Sequence, residues 1–155
     1  MIARAAVPAD AAELMRLRAV LLSSMGDDVT DGPWQAAGAS HLRAKLGGDT
    51  LAAFVVDAPG GPGLAASVVG AVDERLPGPR NPSGLVGYVY SVATHPEHRR
   101  RGYSRACMEG LLQWYAARGV TKIDLRASPE GLGLYESLGF RRTSDPAMRL
   151  DLTSR

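Results

Sequence analysis

Apolar residues follow a helical spacing near the start of the chain. Between Asp10 and Gly26 they recur every three or four positions, which predicts an amphipathic helix. Asp10 followed three positions later by Glu13 is typical of a capping box at a helix start. A second helix is predicted at 34–46, and residues 2–7 predict a short strand before the first helix.

The middle of the chain changes to the shorter apolar runs that are typical of strands. Strands are predicted at 51–57, 64–75 and 85–94, the last of them rich in Val and Tyr. Beyond the third strand, apolar residues recur every four positions from Tyr103, which predicts a helix that Gly119 ends.

The last third of the chain continues the alternation of strand and helix. A strand is predicted at 121–127, a short helix at 131–138, and a final pair of strands from Phe140 onward. Because strands and helices interleave, we expect a three-layer α/β arrangement. The 155 residues are enough to bury one core, so we expect a single domain over residues 1–155.

Composition narrows the class of protein. Charged residues make up 22% of the chain and the formal net charge is only +2, so no nucleic-acid partner is expected. Cys107 is the only cysteine, which excludes an intrachain disulfide, and no Cys/His spacing suggests a metal site. The longest apolar run, 51–56, is far too short for a membrane span, and the N-terminus lacks the apolar core of a signal peptide. We therefore expect a cytoplasmic protein without a membrane partner.

Positive charge is concentrated at the start of the helix that follows the third long strand. Arg99, Arg100 and Arg101 precede Gly102, and the unpaired N–H groups of a helix N-terminus attract anions. Gly102 lets the backbone approach a ligand closely, because it has no Cβ. A solvated basic turn and a nucleic-acid patch are the alternatives from the run alone, and the second lacks interleaved aromatic residues.

The residues around this run resemble a known signature. The segment 94–119 reads THPEHRRRGYSRACMEGLLQWYAARG, and it resembles the acetyl-CoA signature of the GNAT superfamily of N-acetyltransferases. Ser104 stands where the family usually has Gly or Ala, but it is also small. The segment 125–140, LRASPEGLGLYESLGF, is similar to a later family segment with a strand, a short helix carrying a tyrosine, and Leu-Gly-Phe.

The resemblance implies a three-layer α/β/α GNAT fold with a central mixed, mostly antiparallel sheet. It implies an acyltransferase that moves an acetyl group from acetyl-CoA to a primary amine, which we expect to belong to a small molecule. Tyr135 matches the tyrosine that the family often uses as general acid toward the departing thiolate, and Ser128 stands where relatives often have Asn. The residues that the resemblance assigns to acetyl-CoA binding are Val92, Ala93, Thr94, Arg99, Arg100, Arg101, Gly102, Tyr103, Ser104 and Ser128.

The general base and the acceptor stay open. Many relatives have a glutamate on the fourth strand, whereas residues 88–91 here contain no carboxylate. In relatives the loop between the first two helices borders the substrate, and here it holds Asp27, Asp28 and Asp31; Asp73 and Glu74 lie at the end of the preceding strand. For each of the five, a solvated surface carboxylate is the alternative to a base, and none is assigned as the base. A protein or peptide acceptor and a catalytically silent acyl-CoA-binding module are the alternative functions, and a homodimer is compatible with the sequence.

Overall fold

The computed structural model describes residues 2–154, so residues 1 and 155 at the ends of the predicted domain lie outside the described part. Five strands form one mixed sheet in the order β1-β2-β3-β4-β5. Neighbouring strands are antiparallel except β4 and β5, which are parallel. The strands are β1 Arg4–Ala5, β2 Leu51–Asp57, β3 Leu64–Glu74, β4 Leu85–Thr94 and β5 Ile123–Leu125.

Helices cover both faces of this sheet, which confirms the predicted three-layer fold. The α-helices are α1 Ala11–Ser24, α2 Pro33–Lys45, α3 Tyr103–Ala117 and α4 Leu132–Ser137. Turns of 3₁₀-helix lie at Pro8–Asp10, Pro96–His98 and Leu152–Ser154. None of the helices within residues 2–154 has the length and apolar character needed to cross a membrane.

The sheet divides the apolar side chains into two cores. Successive residues of a strand point to opposite faces, so Val55 packs against α1 and α2 while Val56 packs against α3. Tyr115 of α3 is fully buried in the core between α3 and the sheet. Its hydroxyl donates a hydrogen bond to the carbonyl oxygen of Ala71 at 3.0 Å. Gly70 and Gly87 lie beneath Tyr115. A Cβ on Gly70 would come within 2.3 Å of the Tyr115 hydroxyl oxygen, and a Cβ on Gly87 would come within 2.7 Å of the Tyr115 ring. The two glycines therefore let α3 pack closely on the sheet.

The strands β4 and β5 separate at one end of the sheet. Their pairing stops at Val89 opposite Leu125, whereas β4 continues to Thr94. A β-bulge also interrupts β4, because Ser67 pairs with Ala93 but Val69 pairs with Tyr90. The second half of β4 thus leaves one of its edges open to a cleft.

Two predictions of local structure were wrong. Glu13 does not form a capping box with Asp10: it accepts a hydrogen bond from the Leu64 N–H and pairs with Arg16. Asp10 is instead the last residue of the 3₁₀ turn that begins after Val7, so its carboxylate accepts the Val7 N–H at 2.8 Å and pairs with Arg4. The final pair of strands from Phe140 onward is also absent from the described chain, which contains no strand after β5.

Candidate active site

A cleft of about 760 Å³ lies where β4 and β5 separate. The end of α1, the end of β4, the loop before α3, the first turn of α3 and the loop before α4 form its walls. Ten of the eleven residues that the sequence predicts for the site line this cleft: Val92, Ala93, Thr94, Arg99, Arg100, Gly102, Tyr103, Ser104, Ser128 and Tyr135. Arg101 is exposed and is not among the lining residues.

The bulge in β4 shapes the floor of the cleft. Ser91 has a φ of 58°, a left-handed conformation that is uncommon outside glycine. The extra residue of a bulge takes no regular part in the strand ladder, so the backbone beside it is available to other partners. Val92 and Ala93 follow directly and line the cleft. The family resemblance assigns Val92 and Ala93 to acetyl-CoA binding, and their position in the cleft is compatible with that assignment.

The arginine loop forms the end of the cleft next to α3. Arg100 has a φ of 64° and Gly102 a φ of 76°, so the loop contains two left-handed residues before the helix begins. Backbone turns of this kind direct successive N–H groups into a concavity that binds anions. A Cβ built on Gly102 meets no heavy atom within 4 Å. The loop therefore leaves open space at the N-terminus of α3, and a phosphate group fits the charge there.

A hydroxyl pair joins the two ends of this loop. The Thr94 Oγ1 atom lies 2.6 Å from the Ser104 Oγ atom, which connects the last residue of β4 to the first turn of α3. The departure of Ser104 from the family's Gly or Ala thus has a structural use, because an alanine could not make this bond. The pair fixes the spacing between the strand end and the helix N-terminus.

Tyr135 presents its hydroxyl to the cleft from α4. The residue is 7% exposed, and its ring packs edge to face on Phe140 with centroids 6.0 Å apart. Its hydroxyl has no hydrogen-bond partner within residues 2–154 but is not sealed from solvent. Burial raises the pKa of the Tyr135 phenol, so the group stays protonated at neutral pH and can donate a hydrogen.

Gly131 and Ser128 hold the loop beneath Tyr135. A Cβ on Gly131 would come within 2.7 Å of the Tyr135 ring, so only glycine fits without moving that ring. The Ser128 Oγ atom accepts the Gly131 N–H at 3.2 Å. The Ser128 hydroxyl therefore stabilises the turn into α4. Ser128, which stands where relatives often have Asn, also lines the cleft.

The carboxylates proposed from sequence lie elsewhere. Asp28 accepts hydrogen bonds from Thr30, and Asp73 pairs with Arg75 at 3.1 Å. None of the five candidate carboxylates lines the cleft, whereas Glu130 does so and is the one carboxylate among its lining residues. Sequence reasoning missed Glu130, because an exposed acidic residue in a loop has no distinguishing pattern.

His95 and His98 come together at the 3₁₀ turn that precedes the arginine loop. Single ligand atoms of His95, Glu97 and His98 lie within 4.8 Å of one another, and the rings of the two histidines have centroids 5.8 Å apart. The His95 Nδ1 atom already accepts the Glu97 N–H at 3.2 Å, so that nitrogen stabilises the 3₁₀ turn. His98 lines the cleft next to Arg99.

Comparisons with known proteins agree with this arrangement. A Clostridium acetobutylicum protein described as a predicted acetyltransferase with acetyl-CoA has a TM-score of 0.85 at 23% identity, over 99% of this chain and 97% of that one. A GCN5-related N-acetyltransferase from Ralstonia eutropha has a TM-score of 0.80 at 25% identity, over 96% and 97%. A segment of 59 residues is 36% identical to the alanine N-acetyltransferase of ribosomal protein bS18 from Escherichia coli, and it spans 36% of this chain and 40% of that enzyme. The model of the acetyltransferase (GNAT) family matches residues 23–140. That match covers most of the chain, which therefore belongs to the GNAT family of acetyltransferases.

Proposed function

We propose that this protein transfers the acetyl group of acetyl-CoA to the primary amine of a small molecule. One observation carries the proposal: Tyr135 lines the same cleft as the arginine loop and the bulged end of β4. A proton donor and free backbone groups can assist aminolysis of a thioester, and an anion site can hold the diphosphate of acetyl-CoA.

The arginine loop fits the diphosphate of acetyl-CoA. Arg99 and Arg100 supply charge, and the first N–H groups of α3 supply donors that the helix itself leaves unused. The open space over Gly102 allows the phosphate oxygens to approach the backbone. Each charge-assisted hydrogen bond contributes about 1.5–3 kcal/mol, so a few of them account for firm binding.

Tyr135 and the bulge supply the chemistry. Acetyl-CoA provides an activated acyl group; transfer forms the amide C–N bond, breaks the thioester C–S bond, and moves one proton from nitrogen and one to sulfur. Tyr135 donates the proton to sulfur, because its phenol stays protonated in the cleft. The backbone at Val92 and Ala93 orients the acyl group. Glu130, the lining carboxylate, is the candidate to accept the proton from the amine.

The cleft has the dimensions of a small-molecule site. Its volume of about 760 Å³ falls within the range of about 300–1,000 Å³ that is typical of such sites, and this volume includes the space assigned to acetyl-CoA. Val20, Leu21 and Met25 at the end of α1 give the cleft an apolar border. Cys107 is a free, buried thiol, which suits the reducing cytoplasm as the site of the reaction.

A protein N-terminus is the second candidate acceptor. It is favoured by the 59-residue similarity to an enzyme named for acetylating an alanine of a ribosomal protein. A silent acyl-CoA-binding module is less well supported, because it has no use for an unpartnered tyrosine hydroxyl in the cleft.

The test is release of free thiol from acetyl-CoA in the presence of single acceptors. The panel contains alkylamines, amino sugars, arylamines and peptides with a free N-terminal alanine, and reactions without acceptor are the control. We expect acceptor-dependent release with at least one small amine. Release with peptides alone would replace the small molecule by a protein acceptor, and acetyl-CoA binding without any release would favour the silent module.

A further inference from the structure

The helix α4 carries the proposed proton donor but is short. It has six residues, and Tyr135 is the one among them that is buried. A helix of this length is marginal on its own in water, so its position depends on contacts with other elements. Leu134 and Leu138 pack partly buried beside Tyr135 on the core between α3 and the sheet. Such apolar packing is non-directional, so it does not by itself fix the angle at which Tyr135 enters the cleft.

A side-chain hydrogen bond joins α4 to α3. The Nη2 atom of Arg105 in α3 donates to the Ser137 Oγ atom in α4, and the Ser137 hydroxyl in turn donates to the Leu134 carbonyl oxygen at 2.6 Å. Across residues 2–154, no other hydrogen bond connects α4 to another helix or to a strand. Hydrogen bonds are directional, so this link sets the rotation of α4 relative to α3.

The link lies between the two functional ends of the cleft. Arg105 is the third residue of α3, directly after the arginine loop, and it lines the cleft together with Leu134 and Tyr135. The hydrogen bond therefore connects the helix that begins at the proposed diphosphate site to the helix that carries the proposed proton donor. Ser137 is exposed and is not among the lining residues, so a substitution there breaks the link without changing a group that lines the cleft.

The exposure of the link separates its effect on stability from its effect on catalysis. Arg105 and Ser137 are both exposed, and a hydrogen bond at the surface competes with bonds to water, so it contributes little to the free energy of unfolding. The placement of a reacting group is far more sensitive, because a displacement of about 1 Å can lower a rate about a hundredfold. The link is therefore expected to affect turnover much more than folding.

We propose that Arg105 and Ser137 are positioning residues that hold α4, and with it the Tyr135 hydroxyl, in the orientation needed for proton donation in the cleft. The inference rests on the proposed acetyl transfer, and it gives neither residue a chemical step of its own. Arg105 acts through Ser137, and Ser137 acts through the backbone of α4 at Leu134.

Steady-state kinetics of variants on both sides of the link test the proposal. Ser137→Ala should lower kcat about tenfold while the Kd for acetyl-CoA stays within about twofold, and Ser137→Thr, which keeps a hydroxyl, should retain most of kcat. Arg105→Ala together with Ser137→Ala should lower kcat no further than the worse single variant, because the two residues act as one unit. Glu136→Ala is the matched control on the same helix. Its side chain is exposed and has no hydrogen bond or ion pair within residues 2–154, so kcat should be kept.

Fluorine NMR of protein labelled with fluorotyrosine reports the placement of Tyr135 without any acetyl transfer. The Tyr135 signal is the one that is absent from Tyr135→Phe. Ser137→Ala should shift or broaden this signal, whereas Glu136→Ala should leave it unchanged. An unchanged signal in Ser137→Ala, an unchanged kcat, equal losses of kcat in Ser137→Ala and Glu136→Ala, or multiplied losses in the double variant would overturn the proposal. If the unmodified protein releases no thiol with any acceptor, the proposed function fails, and the fluorine signal alone then decides whether the link places Tyr135.

Discussion

The variant Gly102→Ala tests whether the arginine loop binds acetyl-CoA, because the substitution should weaken binding without unfolding the protein. The φ of 76° at Gly102 lies in the left-handed region, where an alanine costs roughly 1–2 kcal/mol relative to glycine. A Cβ at this position meets no heavy atom within 4 Å, so no clash adds to that cost. For a chain of 155 residues, 1–2 kcal/mol corresponds to a loss of about 2–8 °C in melting temperature. Gly102→Ala is therefore expected to fold.

Gly119 provides the matched control at the other end of α3. Its φ is 71°, its Cβ would also meet no heavy atom within 4 Å, and it does not line the cleft. Gly119→Ala should thus lose the same stability as Gly102→Ala. The two variants differ only in what the new methyl group faces: the proposed diphosphate site or bulk solvent.

The assay is thermal unfolding with and without acetyl-CoA. At a concentration of about 100 times Kd, a ligand specific for the native state stabilises it by about 2.7 kcal/mol, or about 5–11 °C here. We expect this shift in the unmodified protein and in Gly119→Ala. If the methyl group weakens binding about a hundredfold, Gly102→Ala keeps only about 0.4 kcal/mol of it, or about 1 °C. An equal shift in both variants would refute the placement of the diphosphate over Gly102.

Three further predictions follow from the cleft and from the start of α1. Gly131→Ala should displace the Tyr135 ring, because the new Cβ would lie within 2.7 Å of it. We expect kcat to fall about tenfold or more while the affinity for acetyl-CoA is kept. Unchanged steady-state kinetics would contradict this. Alkylamines have a pKa of about 10.4, so without an efficient base kcat/KM should keep rising above neutral pH for them but not for arylamines. A plateau near pH 7 for an alkylamine would show that such a base exists, and Glu130→Gln is the variant that then tests the lining carboxylate. Asp10→Ala should cost about 0.5–2 kcal/mol at neutral pH, because the Asp10 carboxylate accepts the Val7 N–H. Arg4 lowers the pKa of Asp10 in the folded state, so this stability is present above the unfolded pKa of about 3.9 and is lost as pH falls through the lower folded pKa. Chemical denaturation at several pH values should show the difference between the two proteins shrinking, and a constant difference would argue against the role of the ionised carboxylate.

The sequence predicted the long strands and helices correctly, because each of them has an apolar pattern that matches its buried face or faces. The predicted strands at 51–57 and 85–94 have the bounds of β2 and β4, and the helix from Tyr103 has the start of α3. Burial on both faces of β2 accounts for this agreement, because a continuous apolar run has few other solutions. The arginine loop was also recognisable, since its charge and its glycine are side-chain features.

Features that depend on backbone geometry or on distant partners were not predictable. The left-handed conformation of Ser91 at the bulge uses no special residue type, so it was visible only in the fold. Asp10 and Glu13 match a capping box, but tertiary partners, among them Arg4 and the Leu64 N–H, outcompete the local bonds. The strands expected after Phe140 do not form within residues 2–154, because a strand pattern alone does not supply the neighbouring strand that must pair with it. Each of these depends on contacts between distant parts of the chain, which a one-dimensional pattern does not specify.

The most direct test of the proposed function compares the unmodified protein with Tyr135→Phe in acceptor-dependent thiol release, with acetyl-CoA binding measured separately by titration. The phenylalanine ring keeps the packing on Phe140 and removes only the hydroxyl that has no partner in the cleft. The account predicts an unchanged Kd for acetyl-CoA and a kcat that falls about a hundredfold or more, as expected for loss of a general acid. Equal kcat values in the two proteins would contradict the assignment of Tyr135 as the proton donor, and the absence of acceptor-dependent release in the unmodified protein would contradict the proposed activity itself.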